Sequence, residues 1–373
     1  MQSPATKLLL LSLAICAQSY AASIDVLFGT SHRKSVGIYH AELDTESGQL
    51  TEPTQLVEIG SPGFLTMHPD LPVLYAVARD NKQAVVQSYK VADGGAALTE
   101  FNQVDIPGGN GAHIAVHPSG KFLLTAQYGA GLVSLFPLAE NGEVLAASQT
   151  VEHQNPSKVH ARQDSPHPHW VGFSPDGRFA LVPDLGTDTI EIYSVDLEKM
   201  VLVANGSAKS APGSGPRHMR FSRDGKFIHL LNELTLSVST FAYDADSGSA
   251  THVDTIPALT DEELTFAEMN TASEILVHPS GKFIYSANRG HNSVSVYSVD
   301  TATGKLARTQ VESIRGDWPR NINLTPDGAW LIAGGQRSGT VSVFSVDPKS
   351  GKLSFIDGSI QEIPFVSCIL FLE

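Results

Sequence analysis

Cysteine is nearly absent. The 373 residues hold only Cys16 and Cys368. Cys16 falls within an amino-terminal segment expected to be removed, so the mature chain has one thiol and no intrachain disulfide. Its stability must come from an apolar core. Positive charge is scarce too: 25 Lys and Arg stand against 39 Asp and Glu, a formal net charge of −14. That excludes the basic face a nucleic-acid partner needs. It leaves room for an anionic small molecule, because a few arginines in a pocket reverse the field locally. Long apolar runs are missing after residue 22, and no stretch sustains a helical period; DEELTFAEM (261–269) suggests one short helical turn. Gly-x-Ser-x-Gly, a spaced metal-ligand set and a Gly-rich phosphate loop are all absent. Cys368 lies in an apolar strand with no histidine near it in sequence. No nucleophile stands out, and neither a metal nor a cofactor is expected.

What is present begins with residues 1–21. Lys7 precedes the short apolar run LLLLSLAICA, and QSYA follows with Ser19 and Ala21 spaced for cleavage. This is the pattern of a secretory signal peptide, and the run is short for a membrane span. Ile15 occupies a place where a lipoprotein signal carries a small residue, so Cys16 fits a lipid anchor only loosely. The expected destination is the periplasm or the exterior, with no membrane association after cleavage.

The remainder, 22–373, is written in repeats. MHPDLPVLYAV (67–77), VHPSGKFLLTA (116–126), FSPDGRFALVP (173–183), FSRDGKFIHLL (221–231), VHPSGKFIYSA (277–287) and LTPDGAWLIAG (324–334) share one pattern: apolar strand end, a turn built from Pro, Asp, Ser and, in all but the first, Gly, then a second apolar strand. Their turns are spaced by 49, 57, 48, 56 and 47 residues. Alternating strands such as NSVSVYSVD and GTVSVFSVD follow. Units of this length, each worth about four strands, are β-propeller blades. Residues 23–50 hold a repeat that lacks its opening strand, and IPFVSCILFLE (363–373) supplies an apolar strand without a partner. The sequence therefore predicts an all-β, seven-bladed propeller forming one domain, closed by the C-terminal strand completing the N-terminal blade.

Counting outward from each turn pairs the far ends of the hairpins: Arg217 with Glu233, His113 with Gln127, His169 with Asp184, Glu274 with Arg289, and Arg320 with Gln336. A radial arrangement gathers these polar ends around one mouth of the central channel. Arg217, Arg289 and Arg320 can hold a carboxylate, a phosphate or a developing oxyanion. His169 and Glu233 can carry protons. His113, Asp184, His218, Glu274, Arg320 and Gln336 are expected to contact substrate. The pair His167 and His169 also admits a metal reading, but no third ligand is spaced to complete it. His68, His117 and His278 precede prolines in the turns and are expected to be structural.

The chain resembles the lactonase family of seven-bladed propellers, which includes one type of 6-phosphogluconolactonase and the carboxymuconate-lactonizing enzymes (cycloisomerases). The resemblance spans the mature chain. It rests on FGT (28–30), HPHWVGFSPDG (167–177), GSGPRHMRF (213–221), NEL (232–234), SEILVHPSGKF (273–283), ANRG (287–290) and PRNINLTPDG (319–328). It implies catalytic roles for His169, Arg217, Glu233 and Arg289, with Glu233 or His169 activating water and an arginine stabilising charge on a lactone carbonyl oxygen. The implied reaction is hydrolysis of 6-phosphogluconolactone or a gluconolactone-like sugar lactone by a monomer. A muconate-type cycloisomerase and a propeller that only binds a ligand or protein at its mouth are the alternatives.

Overall fold

The structure is a computed structural model that describes residues 23–372 apart from 33, 35, 36, 266 and 268. The expected signal segment lies outside the described residues. Seven antiparallel sheets surround a central channel. Their innermost strands are Val366–Phe371, Gly60–Met67, His113–Val116, Gly172–Phe173, Pro216–Phe221, Thr271–Val277 and Pro319–Leu324. We number the blades 1 to 7 in that order. Blade 1 is completed by the C-terminal strand, which pairs with Ser23–Thr30 from Val26↔Phe371 to Thr30↔Val366. Blade 7 carries an extra two-residue strand, Gln361–Glu362, beside Thr340–Val346. The expected helical turn is the helix Asp261–Leu264, held by a reciprocal cap between Thr260 and Glu263.

The core is divided into clusters that lie between neighbouring blades. Tyr285, Val294 and Val296 of blade 6 pack on Ile322, Leu331 and Phe344 of blade 7. Phe28 and Leu43 of blade 1 close the ring against Ile332, Val341 and Val343 of blade 7. Second strands such as FALVPD (Phe179–Asp184) are buried at every position, because each is covered on both faces by adjacent blades. Burying each large apolar side chain stabilises by about 1.5–3 kcal/mol.

The turns are stapled across blades. The His68 ring meets the Gly120 carbonyl at 3.1 Å, His117 meets that of Gly177 at 2.8 Å, and His278 meets that of Gly328 at 3.1 Å. In His117, Nδ1 accepts from the Ser119 amide, so Nε2–H is the donor to the next blade. The receiving Gly177 has φ +71, and a Cβ there would stand 3.0 Å from the His117 ring. Glycine is needed on both counts.

At the opposite ends the simple hairpin register fails. His113 faces Ala126 rather than Gln127, and Pro168 rather than His169 bridges to Asp184. In blades 5, 6 and 7 the register shifts between Pro216 and His218, Ala272 and Ile275, and Pro319 and Asn321. Arg217, Glu274 and Arg320 therefore have no cross-strand partner: they sit at β-bulges. Similar irregularities place Gly63 in blade 2 and Ser367 in blade 1. A bulge turns a side chain out of the pleat, here toward the channel.

Candidate active site

The bulged residues converge. Gly63, Ser367, Arg217, Arg320 and Asn321, with His169 and His218, line a small cavity at the mouth. Gly215, at φ +66, turns the chain two residues before Arg217, and its carbonyl accepts from the Glu233 amide at 2.7 Å. This backbone bond locks Arg217 and Glu233 together although they are not ladder partners.

Glu233 is buried and ringed by arginines. Its Oε2 lies 2.9 Å from Arg217 Nε, and its Oε1 lies 2.9 Å from Arg289 Nη2 and 2.6 Å from Arg162 Nη1. Burial by itself would raise the carboxyl; Arg289, Arg217 and Arg162 overcome it and hold Glu233 well below the usual carboxylate range. Each arginine is held in turn. Arg217 Nη1 donates to the Ser273 carbonyl, Arg289 Nη2 to the Ala272 carbonyl at 2.7 Å, and Arg162 Nη2 to the Tyr128 hydroxyl oxygen at 2.9 Å. Arg289 also lies 5.4 Å from the centre of the Trp318 ring. Burial and the neighbouring Arg289 push Arg217 down to about 9, and Arg320 down to about 10. Both remain cations at neutral pH. Among the described residues, no hydrogen bond or ion pair engages the Arg320 guanidinium.

His169 is buried beside this cluster. Burial, together with Arg217 and His218, holds its imidazole well below the ordinary range, so it is a neutral base at pH 7. Its Nδ1 lies 3.2 Å from His218 Nε2, and His218 Nδ1 lies 3.0 Å from Glu274 Oε1. Next to His169, the rings of Phe64, His113, Trp170 and His218 form a layer across the channel, with His113 4.1 Å from Phe64 and 5.4 Å from Trp170. A second cavity, open toward the turns, begins below this layer and is lined by His113, Trp170 and Arg220.

The structure thus brings His169, Arg217, Glu233, Arg289, His218 and Arg320 together and sorts the remaining expected contacts differently. His113 faces the lower cavity. The Glu274 carboxylate is fully enclosed and accepts from His218, Arg220, Asn321 and the Ile275 amide. Asp184 Oδ1 accepts the amides of His167, Gly186 and Thr187, while Oδ2 pairs with His153 at 2.7 Å. It shapes a loop and is not open to substrate. Gln336 donates to the Ser31 carbonyl at 2.8 Å on the rim. His167 stacks on Tyr128 with ring centres 4.4 Å apart and bonds the Tyr128 carbonyl, on a different task from His169. Burial pushes the Cys368 thiol up to about 12, so it is unreactive.

Two contributors escape the hairpin arithmetic. Arg162 comes from the loop between blades 3 and 4, and Tyr128 follows the second strand of blade 3. Asp188 anchors that loop: its oxygens accept from Ser157 at 2.6 Å, Gln163 at 2.7 Å, and the amides of Gly213 and Gly215. The signal for Arg162 was the 57-residue spacing from Pro118 to Pro175, which exceeds the shortest by ten residues.

Fold and site together define a seven-bladed propeller with an enzyme-type pocket of fixed cations and a neutral imidazole. The model of the lactonase family, described as a seven-bladed β-propeller, matches residues 25–371, and the chain belongs to that family. It is 33% identical over 287 residues to the 6-phosphogluconolactonase of Bacillus subtilis, covering 77% of this chain and 80% of that one. Identity is 30% over 299 residues to the 6-phosphogluconolactonase of Formosa agariphila, across 78% and 83% of the two chains. The solved periplasmic gluconolactonase of Pseudomonas aeruginosa superposes with a TM-score of 0.87 at 28% identity, over 94% of this chain and 99% of its own.

Proposed function

We propose that this lactonase opens a non-phosphorylated sugar lactone of the gluconolactone type outside the cytoplasm. The observation that carries the reading is the saturation of Glu233 by Arg217, Arg289 and Arg162. Arg217 and Arg289 are already positioned and desolvated, as a developing oxyanion requires. A carboxylate so strongly held in its ionised form is a poor proton acceptor, which assigns water activation to His169. His169 removes a proton from water and the oxygen adds to the lactone carbonyl carbon. Arg217 neutralises the resulting oxyanion. Collapse breaks the ring carbon–oxygen bond, and the proton on His169 passes to the departing alkoxide, giving the hydroxy acid. Arg320, whose guanidinium has no partner among the described residues, binds a hydroxyl-rich or anionic part of the substrate.

Export is supported by the signal-like residues 1–21 and by the periplasmic gluconolactonase with the same fold. Among the described residues, no helix is long and apolar enough to cross a membrane. The test is acid release from gluconolactone and 6-phosphogluconolactone above the spontaneous rate, for residues 22–373 and for Arg217→Ala. Turnover that falls by about 100-fold or more in the variant is expected. Equal turnover by both proteins refutes the site, and a strong preference for the phosphorylated lactone refutes the substrate.

A further inference from the structure

Below His169 lies a chain of hydrogen bonds that the hydrolytic steps do not use. Glu274 is fully buried at the blade 6 bulge. Its Oε1 receives His218 Nδ1 at 3.0 Å, Arg220 Nη2 at 3.0 Å and the Ile275 amide at 3.0 Å; its Oε2 receives Asn321 Nδ2 at 2.7 Å. Blades 5, 6 and 7 thus all reach one carboxylate, from both sides of the ring layer. The Asn321 carbonyl oxygen accepts the Ile369 amide at 2.9 Å and fixes that amide group's orientation.

A carboxylate only accepts hydrogen bonds, so His218 must present Nδ1–H to Glu274. His218 stays neutral, because burial and the surrounding Arg217, Arg220, Arg320 and Arg289 all oppose its protonation. A neutral ring with its proton on Nδ1 has a lone pair on Nε2. The atom 3.2 Å from that lone pair is His169 Nδ1, which must therefore be the donor. His169 is left with its lone pair on Nε2, and among the described residues no hydrogen bond occupies it. His169 lines the mouth cavity.

Resting on the lactonase reading, we infer that His218 and Glu274 are positioning residues for the base: through two successive hydrogen bonds they set His169 as the Nδ1–H tautomer with Nε2 toward the substrate, and the Glu274 charge stabilises the imidazolium formed during turnover. The groups facing His169 are Arg217, His218, Glu233, Arg320 and Tyr128; those around the two positioning residues are His113, Arg220, Arg289, Cys368 and Asn321. The cations among them all oppose the imidazolium, so a buried anion on the far side of His218 has a specific role.

The tautomer is read without a substrate from the ring ¹⁵N shifts of His169 in labelled residues 22–373, assigned with His169→Gln. A proton on Nδ1 at pH 7 is expected, and a proton on Nε2 overturns the assignment. Kinetics then use Glu274→Gln, which preserves shape and removes the charge, and His218→Phe, which removes the acceptor for Nδ1–H. Both should lower kcat on gluconolactone by about 10- to 100-fold with KM little changed. Glu274→Gln should also move the acid limb of kcat to lower pH, because the protonated base loses its stabilising anion; a loss of packing alone would leave that limb in place. If His169→Gln is inactive while Glu274→Gln keeps the wild-type kcat and acid limb, the positioning role is refuted and the lactonase reading stands. If the wild type hydrolyses no lactone, the functional reading fails, and the ¹⁵N shifts still decide the tautomer.

Discussion

The two ends of each inner hairpin obey different rules. At the turn end the strands are regular, the bonds are short-range or reach one blade over, and the same device recurs: histidine onto the next blade's glycine carbonyl in blades 2, 3 and 6. At the mouth end the ladders are bulged and the partners come from several blades. The bulged side chains do not share one environment there: Arg217, Glu274 and Arg320 occupy related bulges yet have three different sets of neighbours. The regular end closes the ring. The irregular end concentrates buried charge that a ring alone would not need. Replacing a buried ion pair with apolar residues is often neutral or stabilising, so such a cluster is weak evidence for stability. Its place at the mouth points to chemistry.

This contrast can be broken most severely at Glu233. Glu233→Gln leaves Arg217 and Arg289 buried beside a neutral group and should destabilise the fold by about 3–5 kcal/mol, read from urea unfolding, while also abolishing lactone turnover. A variant as stable as the wild type would mean that the arginines are solvated and the cluster is not preorganised.

Acid comes next. Burial is the leading cause that lowers His113, His169, His218 and His229, the last to about 4. Their folded-state values lie below the ordinary 6.5, so the stability they contribute is complete above pH 6.5. It is lost as the pH falls toward the folded values, by up to about 1.4 kcal/mol per pH unit for each group. The urea midpoint should therefore be lower at pH 5 than at pH 7. A flat profile would show that these rings are hydrated.

The smallest effect belongs to the turns. His117→Ala should cost about 1–2 kcal/mol for the lost bond to Gly177 and its unpaired carbonyl, with kcat on gluconolactone unchanged. Loss of activity in that variant would erase the distinction between the two ends.

The regular end was the legible one. Repeated turns and the missing and surplus strands at the termini gave the blade number and the closure, because an Asp/Ser-Gly turn and a period of two leave direct marks in sequence. Counting from the turns also sends His169, Arg217, Glu233 and Arg289 to the mouth, where they lie together, since they stand near hairpin ends under any small slip of register. What failed was the pairing itself. A bulge adds one residue without disturbing the apolar alternation on either side, so Arg217 and Arg320 looked like ladder residues when they are unpaired. Asp184 looked like a ligand for the substrate because a polar residue at a strand end reads the same whether it faces a cavity or caps backbone amides. Arg162 and Asp188 lie beyond the reach of hairpin counting; the long spacing between two turns hinted at the first, and nothing in the spacing marked the second.

The innermost strand of blade 1, Val366–Phe371, follows every other blade in sequence, and its Ser367 is a wall of the mouth cavity. Its pairing of Gly29 with Cys368 joins the first of the described strands to the last. Contacts so distant in sequence form late, because the intervening chain must be ordered first. A chain in which this pairing has not formed can hold its arginines, its glutamates and most of its blades and still lack a finished pocket. Ring closure and completion of the pocket are therefore one event: the same strand pairing that locks the last blade onto the first also sets the final wall of the cavity.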